Sequence, residues 1–90
     1  MAIELEPNNA WHYRERATIY LENGDLIKAI ADCNIAIDLD PNKDRGYFTR
    51  GKAYLAKGET ANAISDLEKA IEVSNDPALI NQAQQLLNEI

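Results

Sequence analysis

The sequence predicts an all-α fold made of antiparallel helix-turn-helix repeats that stack side by side. Three observations predict it. The sequence matches itself at a shift of about 34 residues. Its apolar residues recur at the spacing of an α-helix, and a glycine stands between the two halves of each copy. Because helices joined by short turns run in opposite directions, each copy is predicted to be an antiparallel helix pair.

The two copies share residues of both the core and the turns. Identical pairs are Tyr13 and Tyr47, Arg16 and Arg50, Tyr20 and Tyr54, Gly24 and Gly58, Ala29 and Ala63, and Ala36 and Ala70. The same shift aligns residues 2–8 with 36–42, so the chain opens on what resembles the tail of an earlier repeat. We therefore predict one domain over residues 1–90, divided into a tail (1–8), repeat 1 (9–42), repeat 2 (43–76) and a capping helix (77–90).

Helical segments follow from the apolar spacing, and turn residues mark where they end. The predicted helices are a stub at about 2–6 and then about 9–23, 26–39, 43–57, 60–74 and 78–90. Gly24 and Gly58 end the first helix of each repeat, because glycine adopts the left-handed conformation at the lowest cost. Asp25 and Thr60 follow as N-caps. Prolines that end or open helices stand between repeats, at Pro7, Pro41 and Pro77.

The apolar stripes show how the helices pack. The second helix of repeat 1 carries Leu26, Ile30, Cys33 and Ile37 on one side. The final helix carries a clean apolar stripe opposite a face of asparagine, glutamine and glutamate. We interpret this helix as a lid on repeat 2, since a terminal repeat needs a polar outer face. A docking helix for another partner is the alternative.

These residues resemble the tetratricopeptide repeat family. The matching motif is Tyr13, Ala17, Tyr20, Gly24, Ala29, Ala36 and Pro41 in one copy, and Tyr47, Gly51, Tyr54, Gly58, Ala63 and Ala70 in the other. The resemblance implies a right-handed α-solenoid that binds proteins. Three features depart from the family pattern: tyrosine replaces its leading tryptophan, Arg16 and Arg50 replace its leucine, and Asn75 stands where a proline is usual.

The first helix of each repeat carries a second stripe of residues that lies outside its predicted packing face. We call it the groove stripe: Trp11, Arg14, Thr18 and Leu21 in repeat 1, and Arg45, Phe48, Lys52 and Leu55 in repeat 2. The resemblance implies that this side of the first helices lines a concave groove for extended peptides or partner helices. Phe48 is predicted to be exposed there. Trp11 either faces the groove or covers the N-terminal stub.

Charge is unevenly distributed along the chain. The formal net charge is −6, yet seven of the nine Lys and Arg residues lie on or just before the first helices: Arg14, Arg16, Lys43, Arg45, Arg50, Lys52 and Lys57. A basic groove in an acidic molecule favours an acidic peptide or a terminal carboxylate as the ligand. We expect Arg16 and Arg50, which adjoin the packing stripe, to pair mainly with nearby carboxylates.

Some tetratricopeptide repeat proteins hold the C-terminal carboxylate of heat-shock chaperones with Lys, Asn and Arg on three successive first helices. Arg14 and Lys52 fall near such positions here. Thr18 replaces the expected amide, and the final helix offers Gln82 and Leu86 rather than cations. The complete chaperone clamp is therefore predicted to be absent.

Other function classes are disfavoured. His12 is expected to be solvated and Cys33 to be a core residue, so no catalytic group, metal site or cofactor is predicted, and the protein is not expected to be an enzyme. The acidic net charge disfavours nucleic acid and anionic membranes as partners. A lone cysteine favours a reducing, cytoplasmic location.

Two functional hypotheses remain. The first is a protein-interaction module that binds a peptide or partner segment, an acidic one being favoured, through the groove stripe. The second is a structural spacer or self-associating segment of a longer repeat array, because Ile27 and Ile35 are expected to face outward on the second helix. The chain is expected to be a monomer or to associate weakly.

Overall fold

The computed structural model describes residues 3–90, which form five α-helices joined by short turns. They are α1 (Ala10–Glu22), α2 (Leu26–Leu39), α3 (Asp44–Lys57), α4 (Thr60–Val73) and α5 (Pro77–Glu89). The all-α prediction is confirmed, and each predicted end of these helices lies within one residue of the observed one. The predicted helical stub is wrong where it can be compared, because residues 3–5 form a turn, and Ala2 lies outside the described residues.

The helices form two layers. α1 packs on α2, α2 on α3, α3 on α4 and α4 on α5, and α1 also contacts α3. Phe48 of α3 belongs to the same buried apolar cluster as Leu79 and Ala83 of α5, and α3 and α5 border a common cavity. The first helices of the two repeats, α1 and α3, therefore lie side by side in one layer with the capping helix α5, and α2 and α4 form the other layer. Both halves of the groove stripe are therefore on neighbouring helices of the same layer, α1 and α3.

The two turns within repeats are built alike. Gly24 and Gly58 have φ of 82° and 83°, where a side chain would be strained. In each turn the glycine N–H and the next N–H donate to carbonyls of the preceding helix, at 2.8–3.1 Å. Asp25 holds the N-cap position of α2, as predicted, but its side chain makes no capping hydrogen bond. Thr60 is not an N-cap, because α4 begins at Thr60 itself and Glu59 holds the cap position.

Each repeat ties its leading loop to the core through a tyrosine. The hydroxyl of Tyr13 donates to the carbonyl of Pro7 at 2.9 Å, and that of Tyr47 donates to the carbonyl of Pro41 at 2.8 Å. Both rings are buried. A tryptophan has no hydroxyl at this place, so the departure from the usual leading residue gives each repeat a hydrogen bond to its preceding loop.

α5 begins at a well-formed N-terminus. Asp76 caps it by accepting from the N–H of Ala78 at 3.0 Å, and Pro77 occupies the first turn. The hydroxyl of Ser74 accepts from the Asp76 N–H and donates to the buried carboxylate of Asp44 on α3. These bonds fix the start of α5 against α3, so α5 lies on repeat 2 as the lid interpretation expects. In the described part of the chain, no helix has the length and apolar content needed to cross a membrane.

Candidate functional site

Each repeat holds one arginine–aspartate pair between its helices. Arg16 donates from Nε and Nη2 to both carboxylate oxygens of Asp32, at 2.7 and 2.8 Å, and Arg50 makes the same two bonds to Asp66. Both aspartates are buried, and these hydrogen bonds raise the pKa of each guanidinium. The predicted pairing is confirmed, so both arginines are engaged mainly within the protein.

The remaining cations differ in their neighbours. Lys43, Lys57 and Lys69 lie within 3.9 Å of a carboxylate oxygen. Among residues 3–90, the cations without such a partner are Arg14, Lys28, Arg45 and Lys52. Lys28 stacks over the ring of Tyr20 at 5.6 Å. The other three all belong to the groove stripe, which therefore carries most of the uncompensated positive charge of this part of the chain.

At one end of the stripe, Trp11 and Arg14 border an open cavity of about 610 Å³. Its other walls are residues 6–10, ahead of and at the start of α1, and Leu39 and Asp40 at the end of α2. Trp11 is 53% exposed, which counts against the interpretation that it only covers the N-terminal segment. The Nη1 atom of Arg14 is buried and has no hydrogen-bond partner within residues 3–90.

At the other end, Phe48 and Lys52 border a cavity of about 300 Å³ between α3 and α5. The Lys52 Nζ lies 4.7 Å from the centroid of the Phe48 ring, within range of a cation–π contact. The α5 side of this cavity is formed by Gln82, Gln85, Leu86 and Glu89. A ligand here would meet one cation, one carboxylate, two amides and apolar surface.

The prediction that Phe48 is exposed in the groove is wrong. Phe48 is 5% exposed and belongs to the core that α5 closes, together with Leu67 and Leu79. Helical spacing identifies the side of α3 on which Phe48 lies, but it does not show that α5 covers this side. Phe48 therefore supports the cavity wall and offers little surface of its own.

The other predicted groove residues differ in exposure. Arg45 is exposed, whereas Leu21 and Leu55 are half-buried. Thr18 is also half-buried, and its hydroxyl donates to the carbonyl of Arg14 at 3.0 Å. None of these four residues lines either of the two cavities at the ends of the stripe.

Several cavity residues were not identified from the sequence. Helical spacing places Gln85 and Glu89 with Gln82 on the polar face of the final helix, but it does not predict that part of this face borders a cavity with α3. Leu39 and Asp40 border the same cavity as Trp11 only because α2 folds back on α1, whereas residues 6–10 directly precede Trp11 in the sequence. The spacing within α1 does not predict that Leu39 and Asp40 lie near Trp11.

Two reactive side chains are held in structural roles. Cys33 is fully buried, as predicted, and burial raises the pKa of its thiol to about 12. The prediction for His12 is wrong. Its side chain is 12% exposed, and Nε2 lies 2.8 Å from Oε1 of Glu6, a contact that lowers the pKa of Glu6. No group of three or more potential metal ligands occurs within residues 3–90.

Known sequence families and structures agree with this architecture. Sequence models described as tetratricopeptide repeats match residues 1–31 and 44–77, and one described as a TPR repeat matches residues 17–58. The TPR2B domain of yeast Sti1, solved in a complex with pHsp70, is 33% identical with a TM-score of 0.87. The match covers 93% of this chain and 70% of that chain. The chain belongs to the tetratricopeptide repeat family.

A second solved tetratricopeptide repeat structure is also similar. The first TPR of Spaghetti (RPAP3), bound to the HSP90 peptide SRMEEVD, is 25% identical with a TM-score of 0.83 over 97% of this chain and 70% of that chain. No curated protein sequence matches. The TM-scores show that both solved structures have the same fold as this chain over nearly all of its length.

Proposed function

We propose that the chain is a protein-interaction module that holds an acidic peptide or partner segment along the groove stripe. The observation that carries this proposal is the division of the cations. Arg16 and Arg50 are bound to buried aspartates, whereas Arg14, Arg45 and Lys52 have no carboxylate partner within residues 3–90. Uncompensated cations on one face attract carboxylates of a partner.

The two similar structures support this proposal. One was solved with pHsp70 and the other with the peptide SRMEEVD, which contains two glutamates and one aspartate. Their family favours a binding role over a catalytic one. The buried cysteine Cys33 suits a reducing compartment and supports a cytoplasmic location.

The test is a calorimetric titration of the intact chain with SRMEEVD and with SRMQQVN, in which amides replace the three acidic side chains. We expect SRMEEVD to bind more tightly, and Lys52→Gln and Arg45→Gln each to weaken it about two- to fivefold, as expected for partly exposed ion pairs. Added salt should reduce the difference between the peptides, because it screens exposed charges.

Lys69→Gln is the matched control. It changes the net charge by the same amount, but Lys69 lies on α4 and pairs with Glu72. Helical circular dichroism should be unchanged in all three variants. Equal affinity for the two peptides, or an equal loss in Lys69→Gln and Lys52→Gln, would contradict the proposal.

A second candidate is a spacer or self-associating segment with an idle groove. It is favoured by the exposure of Ile27 (75%) and Ile35 (40%) on α2, in the layer opposite the groove stripe. Ile27 also borders a cavity of about 500 Å³ with Leu26, Lys28 and Lys57. Self-association through this surface would be insensitive to Lys52→Gln, which separates it from the first candidate.

A further inference from the structure

We propose that the groove stripe recognises an internal segment of its partner, with a large apolar side chain at Trp11 and acidic side chains at Arg45 and Lys52, and needs no free C-terminal carboxylate. This inference rests on the proposed function and specifies the kind of segment that the groove holds. Three observations carry it: the cavity at Trp11, the guanidinium of Arg14 and the composition of α5.

The cavity at Trp11 suits an apolar side chain better than an acidic one. Trp11 and Leu39 present partly exposed apolar surface to it, 53% and 38% exposed. Its walls also carry the carboxylates of Glu6 and Asp40. Glu6 shares a hydrogen bond with His12 and accepts another from Asn9. These bonds lower the pKa of Glu6, so its carboxylate stays ionised at neutral pH. The two carboxylates outnumber the one cation of this cavity, Arg14, so the balance of charge disfavours an acidic ligand side chain here.

Arg14 borders the same cavity, is half-buried and has no carboxylate partner within residues 3–90. Its Nη1 is closed to solvent and has no acceptor in the described part of the chain, so a ligand meets the other N–H groups of the guanidinium. A main-chain carbonyl of a bound segment would accept from one of them. The carbonyl brings no further negative charge towards Asp40, so it fits this wall better than a side-chain carboxylate does.

The position of the partner's acidic residues follows from where α3 lies relative to α1. Trp11 and Arg45 occupy corresponding positions on α1 and α3, which lie side by side and run in the same direction. Adjacent helix axes are about 8–10 Å apart. An extended peptide spans about 3.3 Å per residue. The apolar residue and the first acidic residue of the partner should therefore be about three positions apart.

The α5 end of the groove gives a terminal carboxylate little support. α5 contains neither lysine nor arginine. Around the cavity at Phe48, the positive charge of Lys52 is opposed by Glu89, and the other polar groups are the amides of Gln82 and Gln85. A chain end would place its extra negative charge near Glu89, whereas a continuing main chain can use the amides without that repulsion.

The experiment uses capped peptides and the fluorescence of Trp11, the single tryptophan of the chain. The probes are acetyl-LSGDED-amide and its reverse, acetyl-DEDGSL-amide, so that both directions of the peptide chain along the groove are tested. Each is compared with its uncapped form and with a version in which serine replaces leucine. SRMEEVD is the reference ligand.

We expect at least one capped probe to bind within about twofold of its uncapped form and to shift the emission of Trp11. Replacing its leucine by serine should weaken binding about three- to tenfold, as expected for partial burial of a leucine side chain, and should abolish the shift. Arg45→Gln should weaken the same probe, and Lys69→Gln should not.

The outcomes separate the two proposals. If SRMEEVD or the uncapped probes bind and the capped probes do not, this inference is wrong and the proposed function stands. If capped probes bind without dependence on leucine or on Trp11 emission, the apolar contact is overturned. If no acidic peptide binds, SRMEEVD included, both proposals fail.

Discussion

At the residue scale, Arg16 occupies a position where the family usually has leucine. The Arg16 guanidinium lies 6.0 and 5.7 Å from the ring centroids of Tyr13 and Tyr20 and binds Asp32 with two hydrogen bonds. Its aliphatic stem can cover apolar surface as leucine does, while its charge neutralises a buried carboxylate. The same arrangement recurs at Arg50, so the two substitutions act in the interior of each repeat.

Phe48 and Trp11 provide a contrast between core and surface aromatics on the groove stripe. We expect Phe48→Ala to lower the free energy of unfolding by about 3–5 kcal/mol, because it leaves a cavity under α5. Trp11→Ala, at a half-exposed site, should cost under about 1 kcal/mol. Urea unfolding followed by circular dichroism measures both, and equal losses would contradict the assigned burial.

At the element scale, the approach of the two helices in each repeat depends on a matched pair of core residues. Repeat 1 has Ala17 on its first helix and Cys33 on its second, and repeat 2 has Gly51 and Leu67 at the corresponding places. A Cβ on Gly51 would lie 3.1 Å from Cγ and Cδ2 of Leu67 and 3.3 Å from Cβ of Asp66. The smaller residue on α3 makes room for the larger one on α4.

We expect Gly51→Ala to be destabilising by up to about 2 kcal/mol, because overpacking costs about 1–3 kcal/mol and the better helix propensity of alanine offsets about 1 kcal/mol of it. Leu67→Cys alone should also destabilise, by about 2–4 kcal/mol, through the cavity that it leaves. The double variant restores the pair found in repeat 1.

Chemical unfolding of both single variants and the double variant checks this prediction. The double variant should lose clearly less than the sum of the single losses, since each change relieves the strain or the cavity of the other. Additive losses would show that Gly51 and Leu67 are not coupled.

At the scale of the whole molecule, a net charge of −6 coexists with three groove-stripe cations, Arg14, Arg45 and Lys52, that have no carboxylate partner within residues 3–90. Net repulsion between copies opposes association, while the exposed Ile27 and Ile35 on α2 favour it. The balance decides between a monomeric binding module and a self-associating segment.

Sedimentation measures this balance. If α2 is an association surface, the mass of the chain should rise with concentration and with salt, and Ile27→Ser should return it to that of a monomer. Ile90→Ser, at a 45% exposed site at the end of the chain, is the control. A constant monomer mass in the parent chain would exclude self-association through α2 under those conditions.

The sequence by itself determined the helices and their order. The shift of about 34 residues, the glycines with positive φ and the apolar spacing are local signals, because turn geometry and helical periodicity act over a few neighbouring residues. The sequence also predicted that Arg16 and Arg50 each pair with a nearby carboxylate, an arrangement that occurs once in each repeat. The departures lay at the predicted stub, where residues 3–5 form a turn, at Thr60, which is the first residue of α4 and not its cap, and at His12, whose side chain is 12% exposed and contacts Glu6.

Only the tertiary structure decided what each face of a helix meets. Arg14 and Phe48 occupy corresponding positions of the two repeats, yet Phe48 is buried because α5 packs over α3, while Arg14 borders an open cavity. Trp11 meets Leu39 only through the return of α2. Periodicity specifies the direction of a side chain from its own helix axis, and burial depends on a neighbouring helix that is distant in sequence.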